Sequence, residues 1–357
     1  MRTFRSIYLD ICSAAVARQA SDGRMPAGHN GHYHDPETPV RNTSHYIIAF
    51  LRAWELSDDS SFLEAAKRSV DWLIKSNPYR GKYNFQHRSK PGKDLCNGLI
   101  GPAWVIEALL FSEKYLEIRE ARELARDLFN LHPFNSKTKV WDRVEPDGSR
   151  LSFDMTFNHQ LWFAACASPL ITDTPEAEER IGAFADNLPD LFDMAASGRI
   201  VHPLWVRQRR LRERVKRAIK PAHHQALLSK EIGYHAFNLL GFSIMKLGGV
   251  SLNPKVLSRI EKAIEYLNTN EYLNGIESSE CGFPYNPPGW EVPMAKSVLA
   301  GGFPAECTVW IQRQLAYSFD SSNRMMSHRT DDPETQTARI YEASRLRNEF
   351  FDLELQA

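Results

Sequence analysis

The sequence predicts an all-helical fold: an (α/α)6 toroid of helical hairpins, one ring of helices inside another, with a basic helix inserted. Three observations carry this. Glycine and proline fall between long stretches with apolar residues at helical spacing, and alternating β-branched runs are rare. The helical stretches are of two kinds, one apolar all round and one with a single apolar face. The two kinds alternate along the chain, as they do where each buried helix has an outer partner. The 357 residues, 43% of them hydrophobic, suffice to build such a ring as a single domain over 1–357.

The elements follow in order. The stretch Thr3–Ala20 is expected to form an outer helix that closes the ring. Apolar runs at 46–56, 98–111, 160–171 and 236–247 read as inner helices, buried on all sides. Amphipathic runs at 62–76, 119–131, 176–192 and 254–268 read as their outer partners. Two more inner helices are expected near Ala305–Phe319 and Thr335–Arg347, giving about six. The tetrapeptide Asp-Pro-Glu-Thr occurs at 35–38 and again at 332–335, each time ahead of an inner helix. It reads either as a trace of internal repetition or as a favoured cap and first turn.

The segment at about 199–225 breaks the alternation. From Arg199 to Lys220 it carries nine Lys and Arg against one acid, Glu213. Leu204, Leu211, Val215 and Ile219 fall at helical spacing. This is a basic amphipathic insertion suited to anionic headgroups, an anionic polymer or plain solvent, so peripheral membrane contact through 199–220 is an expectation.

Composition narrows the function. Lys plus Arg and Asp plus Glu are equal at 44 each, so no overall charge favours nucleic acid. The five cysteines are scattered, none in a Cys-x-x-Cys pair. With no N-terminal apolar region and no bilayer-length apolar run, they read as reduced thiols of a cytoplasmic protein. The loop with His29, His32 and His34, followed by His45, has His-x-x-His-x-His spacing. It lacks a matching carboxylate, so neither a metal nor a cofactor is expected.

Candidate chemistry sits at the starts of the inner helices, which a toroid brings to one end. They supply Glu37, Arg41, Asn42 and His45; Lys93, Asp94 and Asn97; Asp154, Asn158 and His159; Tyr234, His235 and Asn238; and Glu306. Polar loops at 85–94 and 277–293 add His87, Arg88, Glu277, Glu280, Tyr285, Asn286, Trp290 and Glu291. Each head alone is explained by capping or by a satisfied buried polar group. Their recurrence at one end of one architecture points to a shared site, and helix N-termini there favour an anionic ligand. Tyr33, Trp104, Trp141, Trp162, Tyr234, Tyr285 and Trp290 flank these groups, and aromatic faces beside polar rims suit a sugar.

At FNHQLW, Asn158, His159 and Trp162 resemble the Asn-His-x-x-Trp signature of the alginate lyase and heparinase-type polysaccharide lyases, which are α/α toroids. The NPPG of 286–289 is similar to a loop of the glucuronyl C5-epimerases. The resemblance implies abstraction of the C5 proton of a uronic acid. Asn158, with Arg41 or Arg88, would neutralise the carboxylate, His159 would be the base, and Tyr234 or Tyr285 would return the proton. Asn42, His45, His87, Asn97, Trp104, Trp162, His235, Trp290 and Glu291 would bind the substrate, an anionic oligo- or polysaccharide. Lyases of this kind are usually exported, and this chain shows no export signal. The rival chemistry is hydrolysis of the unsaturated glucuronyl hydrolase type, with Asp94 and Asp154 as the carboxylate pair and Glu107 and Glu291 as further acids. A non-catalytic glycan-binding scaffold is the third possibility; fold alone does not choose among them.

Overall fold

The computed structural model describes residues 2–204, 221–302 and 306–355. Among them, six inner segments form a closed ring: Val40–Ser57, Ile100–Leu116, Phe157–Ala167, His235–Leu247, Pro288–Leu299, and the helix Pro333–Ala338 continuing as the 3-10 turn Arg339–Arg345. Each packs on the next, and the sixth returns to the first. Six outer helices cover the ring: Phe4–Arg18, Ser60–Asp71, Arg119–Leu131, Pro175–Leu191, Pro254–Tyr266 and Glu306–Ser318. This is the (α/α)6 toroid that the alternation predicts.

The two rings follow from side-chain distribution. Ile100–Leu110 is buried without interruption, so that helix can only sit inside. Arg119–Leu131 buries Ala121, Ala125, Leu128 and Phe129, a single stripe at helical spacing, and turns its charges to water. The chain reverses between inner and outer helices at left-handed residues, Asp58 at φ 56° and Glu117 at φ 56°, which end a helix without loss of its last carbonyl partners. The N-terminal helix closes the ring as expected. Tyr8 Oη lies 3.1 Å from the Ala49 carbonyl and 2.8 Å from Ser344 Oγ, tying it to the first and sixth inner segments.

Two expectations need correction. The fifth inner helix is Pro288–Leu299, buried from Pro288 to Lys296, and Glu306–Ser318 is its outer partner. Glu306 therefore does not head an inner helix. The two Asp-Pro-Glu-Thr copies also differ in role. Asp332 is a true cap, accepting from the Thr335 amide at 3.1 Å, and it also holds the amides of His29 at 2.7 Å and Gly31 at 3.0 Å. Asp35 caps nothing; it is fully buried and is gripped by Lys93, Lys90 and Arg88 at 2.6, 2.7 and 3.5 Å. The core of the basic insertion, 205–220, lies outside the described residues. Among the described residues no helix is long and apolar enough to cross a membrane.

Short antiparallel strands interrupt the helices, and one hairpin borders the cavity. Val140–Val144 pairs with Arg150–Phe153 across a bulge, turning at Gly148 with φ 94°. It stands at the N-terminal end of the third inner helix and brings Arg143 over the ring's mouth.

Candidate functional site

The starts of the inner segments surround a cavity of about 420 Å³. Of the sequence candidates, Arg41, Arg88, Lys93, Asp94, Asn97, Trp104, Asp154, Asn158, His159, Tyr234, Tyr285 and Asn286 line it. Tyr33, one of the flanking aromatics, lines it too, and the structure adds Arg143, His202, Lys230, Phe237 and Arg339.

Two of the lining residues, His159 and Asp154, form a hydrogen-bonded dyad. His159 Nδ1 lies 2.7 Å from Asp154 Oδ2, which also accepts the Leu99 amide at 3.0 Å, while Oδ1 takes the Thr156 amide at 3.0 Å. Burial would raise the Asp154 carboxyl, but the His159 ring and these donors outweigh it and hold the acid far below the usual carboxylate range. An ionised Asp154 is placed to accept a hydrogen bond from Nδ1–H, the arrangement that in a neutral ring leaves Nε2 as the acceptor. The backbone at Asn97 and Gly98, with φ 57° and 63°, makes the tight bend that aims the neighbouring amides. The Gly98 amide reaches Asp94 Oδ1 at 3.0 Å, as the Leu99 amide reaches Asp154. A Cβ at Gly98 would stand 2.3 Å from Asp154 Oδ2, so the dyad occupies the space a side chain would need.

Around the dyad the cavity is cationic. Arg41, Arg88, Lys93, Arg143, Lys230 and Arg339 line it against the carboxylates Asp35, Asp94 and Asp154. Asp94 receives Arg88 at 2.6 Å and Arg143 at 2.5 Å. Burial would raise its pKa, but Arg88, the Gly98 amide and Arg143 together pull it below normal. Burial likewise works against Asp35, and Lys90 and Lys93 overcome it. Arg41 bonds Asn30 Oδ1 at 2.9 Å and Glu37 at 3.0 Å, with its guanidinium 4.2 Å over the Trp104 ring. Arg339 bonds Asn286 at 2.6 Å and the buried Glu342 and Glu291 at 2.8 and 3.3 Å. Burial, reinforced by their mutual repulsion, raises the Glu291 carboxyl well above its ordinary value.

The tyrosines split by partner. Tyr285 Oη donates to Asn30 Oδ1 at 2.6 Å and is committed there. Tyr234 Oη faces Tyr33 Oη at 3.2 Å, and burial raises its pKa well above normal, so it keeps its proton. His202 stands 5.0 Å from the Tyr234 ring; burial, then the nearby Lys230 and His159, keep it neutral.

Several expected binding residues lie off the cavity. Asn42 donates to the Pro26 carbonyl at 2.8 Å. His45 stacks on Tyr341 at 4.0 Å, and His87 is buried behind Trp104. Trp162 stacks on Phe237 at 4.3 Å, and Trp290 on Phe4 at 5.2 Å, both as core residues. His235 bonds the Ala263 carbonyl at 2.8 Å, and Glu291 stands behind Arg339. The reason is geometric: successive residues within a helix turn by about 100°, so helical positions one or two steps from a residue that faces the axis point into the wall. In the histidine-rich loop, His29 and His34 stack at 5.1 Å and His32 Nε2 faces Cys281 Sγ at 3.5 Å. Among the described residues no three His, Cys, Asp or Glu side chains gather as metal ligands would.

This geometry defines an α/α toroid with a basic, dyad-bearing cavity at the inner-helix N-termini. Solved structures of the same fold include the GH76A α-1,6-mannanase of Salegentibacter sp. HEL1_6, with TM-score 0.57 and 11% identity over 96% of this chain and 98% of that one. The cellobiose 2-epimerase of Spirochaeta thermophila DSM 6192 matches at TM-score 0.60 and 14% identity over 96% of each chain. A D-mannose isomerase matches at TM-score 0.56 and 13% identity over 95% and 96%. No protein-family model matches the chain. In sequence it is 38% identical over 363 aligned residues to archaeal glycosylation protein Q of Haloferax volcanii, covering 97% of this chain and 98% of that protein. The chain belongs to the family of archaeal glycosylation protein Q.

Proposed function

We propose that the protein is a glycan-processing enzyme that withdraws a proton from the carbon beside the carboxylate of a uronate-containing saccharide, with His159 as the base. The observation that carries this is the His159–Asp154 dyad in a cavity whose carboxylates are all held ionised. The named relative is a glycosylation protein, and the same fold serves a mannanase, an epimerase and an isomerase, so glycan chemistry fits while the reaction type must come from the site.

Hydrolysis needs a carboxylic acid that stays protonated near neutrality to assist the leaving group. Asp35, Asp94 and Asp154 are each held below the ordinary range by cationic or imidazole neighbours, which speaks against them in that role. Proton abstraction needs an oriented neutral imidazole and donors for the developing enolate. His159, oriented by Asp154, is the candidate for the first. Asn158 and Arg41, both lining the cavity, supply the second. Tyr234, kept protonated, is the group to deliver a proton to the opposite face or to a leaving oxygen.

Proton NMR in heavy water on a panel of uronate oligosaccharides tests the reading. Loss of the C5 proton with an intact chain means epimerisation, and new vinylic signals mean elimination. Either should vanish in His159→Ala with helical content retained. New reducing ends with C5 protons kept would refute the proposal and return the assignment to Asp94 and Asp154.

A further inference from the structure

Among the cations lining the cavity, Lys230 differs from the others. Arg41 is met by Glu37, Arg88 and Arg143 by Asp94, Lys93 by Asp35, and Arg339 by Glu342 and Glu291. Among the described residues no carboxylate reaches the Lys230 ammonium. It stands instead 5.5 Å from the centre of the Tyr33 ring and 5.7 Å from that of Tyr234. Aromatic faces offset only part of the cost of taking an ammonium out of water. Burial, with Lys93 adding repulsion, accordingly lowers its pKa.

The position is built. Lys230 lies in the last turn of the helix Pro221–Gly233, and its chain neighbours are fixed. Ser279 Oγ donates to the Ser229 carbonyl at 2.8 Å, and Arg199 holds Glu231 at 3.1 Å. Gly233 packs so closely on Cys281 that a Cβ there would stand 2.4 Å from the Cys281 Cβ. The helix thus presents one incompletely compensated ammonium to a cavity that already holds more cations than carboxylates.

We propose that Lys230 receives the acidic group of the ligand, a carboxylate or phosphate carried on a sugar, between the rings of Tyr33 and Tyr234. The inference rests on the reading above only for its choice of a sugar ligand. A compact oxyanion would replace the carboxylate partner that every other cation of the cavity has, and the two phenol rings would flank the sugar face. Lys230 would then set the preference for acidic over neutral sugars and leave proton removal to the dyad.

Calorimetric titration of the whole protein and of Lys230→Met and Lys230→Arg tests this, with glucuronate oligosaccharides, matching neutral oligosaccharides and a sugar phosphate as probes. Lys230→Met should weaken uronate binding on the order of tenfold to a hundredfold and leave neutral sugars unchanged. Lys230→Arg should stay within a few-fold. Because no carboxylate is orphaned, Lys230→Met should melt no lower than the parent. Binding with no dependence on Lys230 for any probe overturns the proposal. So does a large fall in melting temperature for Lys230→Met, which would mark a structural lysine. Dependence for the sugar phosphate alone would keep the oxyanion site and refute the uronate function. C5 exchange and uronate affinity both unchanged in Lys230→Met would do the reverse, keeping the uronate function and refuting the oxyanion site.

Discussion

Gly98→Ala probes the dyad without replacing either of its members. The new Cβ would lie 2.3 Å from Asp154 Oδ2 and 2.6 Å from His159 Nδ1. Carbon atoms of this kind do not come within 3.0 Å of a neighbour, so the carboxylate must retreat by at least about 0.7 Å or the backbone must shift. Two effects add. An alanine at φ 63° costs about 1–2 kcal/mol, which lowers the melting temperature by a few degrees at most for a chain of this size. A misplacement approaching 1 Å of a catalytic group costs about a hundredfold in rate. Gly92→Ala is the matched control: its φ is 79°, yet nothing stands within 4 Å of the added carbon. The assay is C5 proton exchange into heavy water, alongside thermal melting by circular dichroism. Gly98→Ala should lose at least as much stability as Gly92→Ala, and only Gly98→Ala should lose activity by about two orders of magnitude. If Gly98→Ala folds and exchanges within about threefold of Gly92→Ala, the dyad is not the reacting centre.

Two further substitutions bear on charge. In Asp154→Asn the amide must point one N–H at a backbone donor, either Thr156 or Leu99, or at the His159 ring. The fixed tautomer is lost, and turnover should fall by about a hundredfold to ten-thousandfold with substrate affinity largely kept; a normal rate at neutral pH would contradict the assigned role of the carboxylate. Glu107, buried at mid-helix beside Arg345, has its carboxyl raised by burial to about 7 from an ordinary 4.5, with Arg345 only partly opposing. The folded state therefore binds this proton more tightly than the unfolded chain, so its contribution is full below pH 4.5 and is lost as pH rises toward 7. Glu107→Gln should flatten the decline in stability across that interval, as read from denaturant melts; parallel declines in both proteins would show that the group does not titrate there.

The ring was legible in the sequence because its cause is one-dimensional. A helix apolar all round must be inside, and a striped one must cover it. The fifth inner helix escaped that logic. Its run contains Pro288, Gly289 and Pro293, which read as breakers, yet Pro288 stands in the first turn, where a missing amide costs nothing. Burial on all sides then outweighs the defect at Pro293. The site was half legible. Asn158, His159 and Asp154 lie within six residues and are each legible as candidates, but the sequence sets Asp154 beside Asp94, and only the fold shows it bonded to His159. Lys230, His202 and Arg339 carry no local signal. His202 sits at the edge of a basic run that draws attention to its charge instead, and Lys230 is one lysine of an unremarkable helix. Their roles come from what the closed ring sets opposite them, and no window of sequence contains that. Asp35 shows the converse: a favourable capping context, with the side chain taken by three cations from a loop more than fifty residues away.

The short ladder in which Arg2 pairs with Leu355 and Thr3 with Glu354 makes the chain cyclic in all but covalent bond. A ring has no first member. Each inner helix gives its head to the cavity and takes its position from two flanking helices, so the order in which the ribosome delivers them is immaterial to the finished site. A circular permutant, opened at the Asp147–Gly148 turn and sealed across the ladder, would present the same dyad, the same cations and the same two tyrosines. Divergence of such a fold toward new reactions can therefore proceed by exchanging a few residues at the helix heads while the wheel that carries them stays as it is.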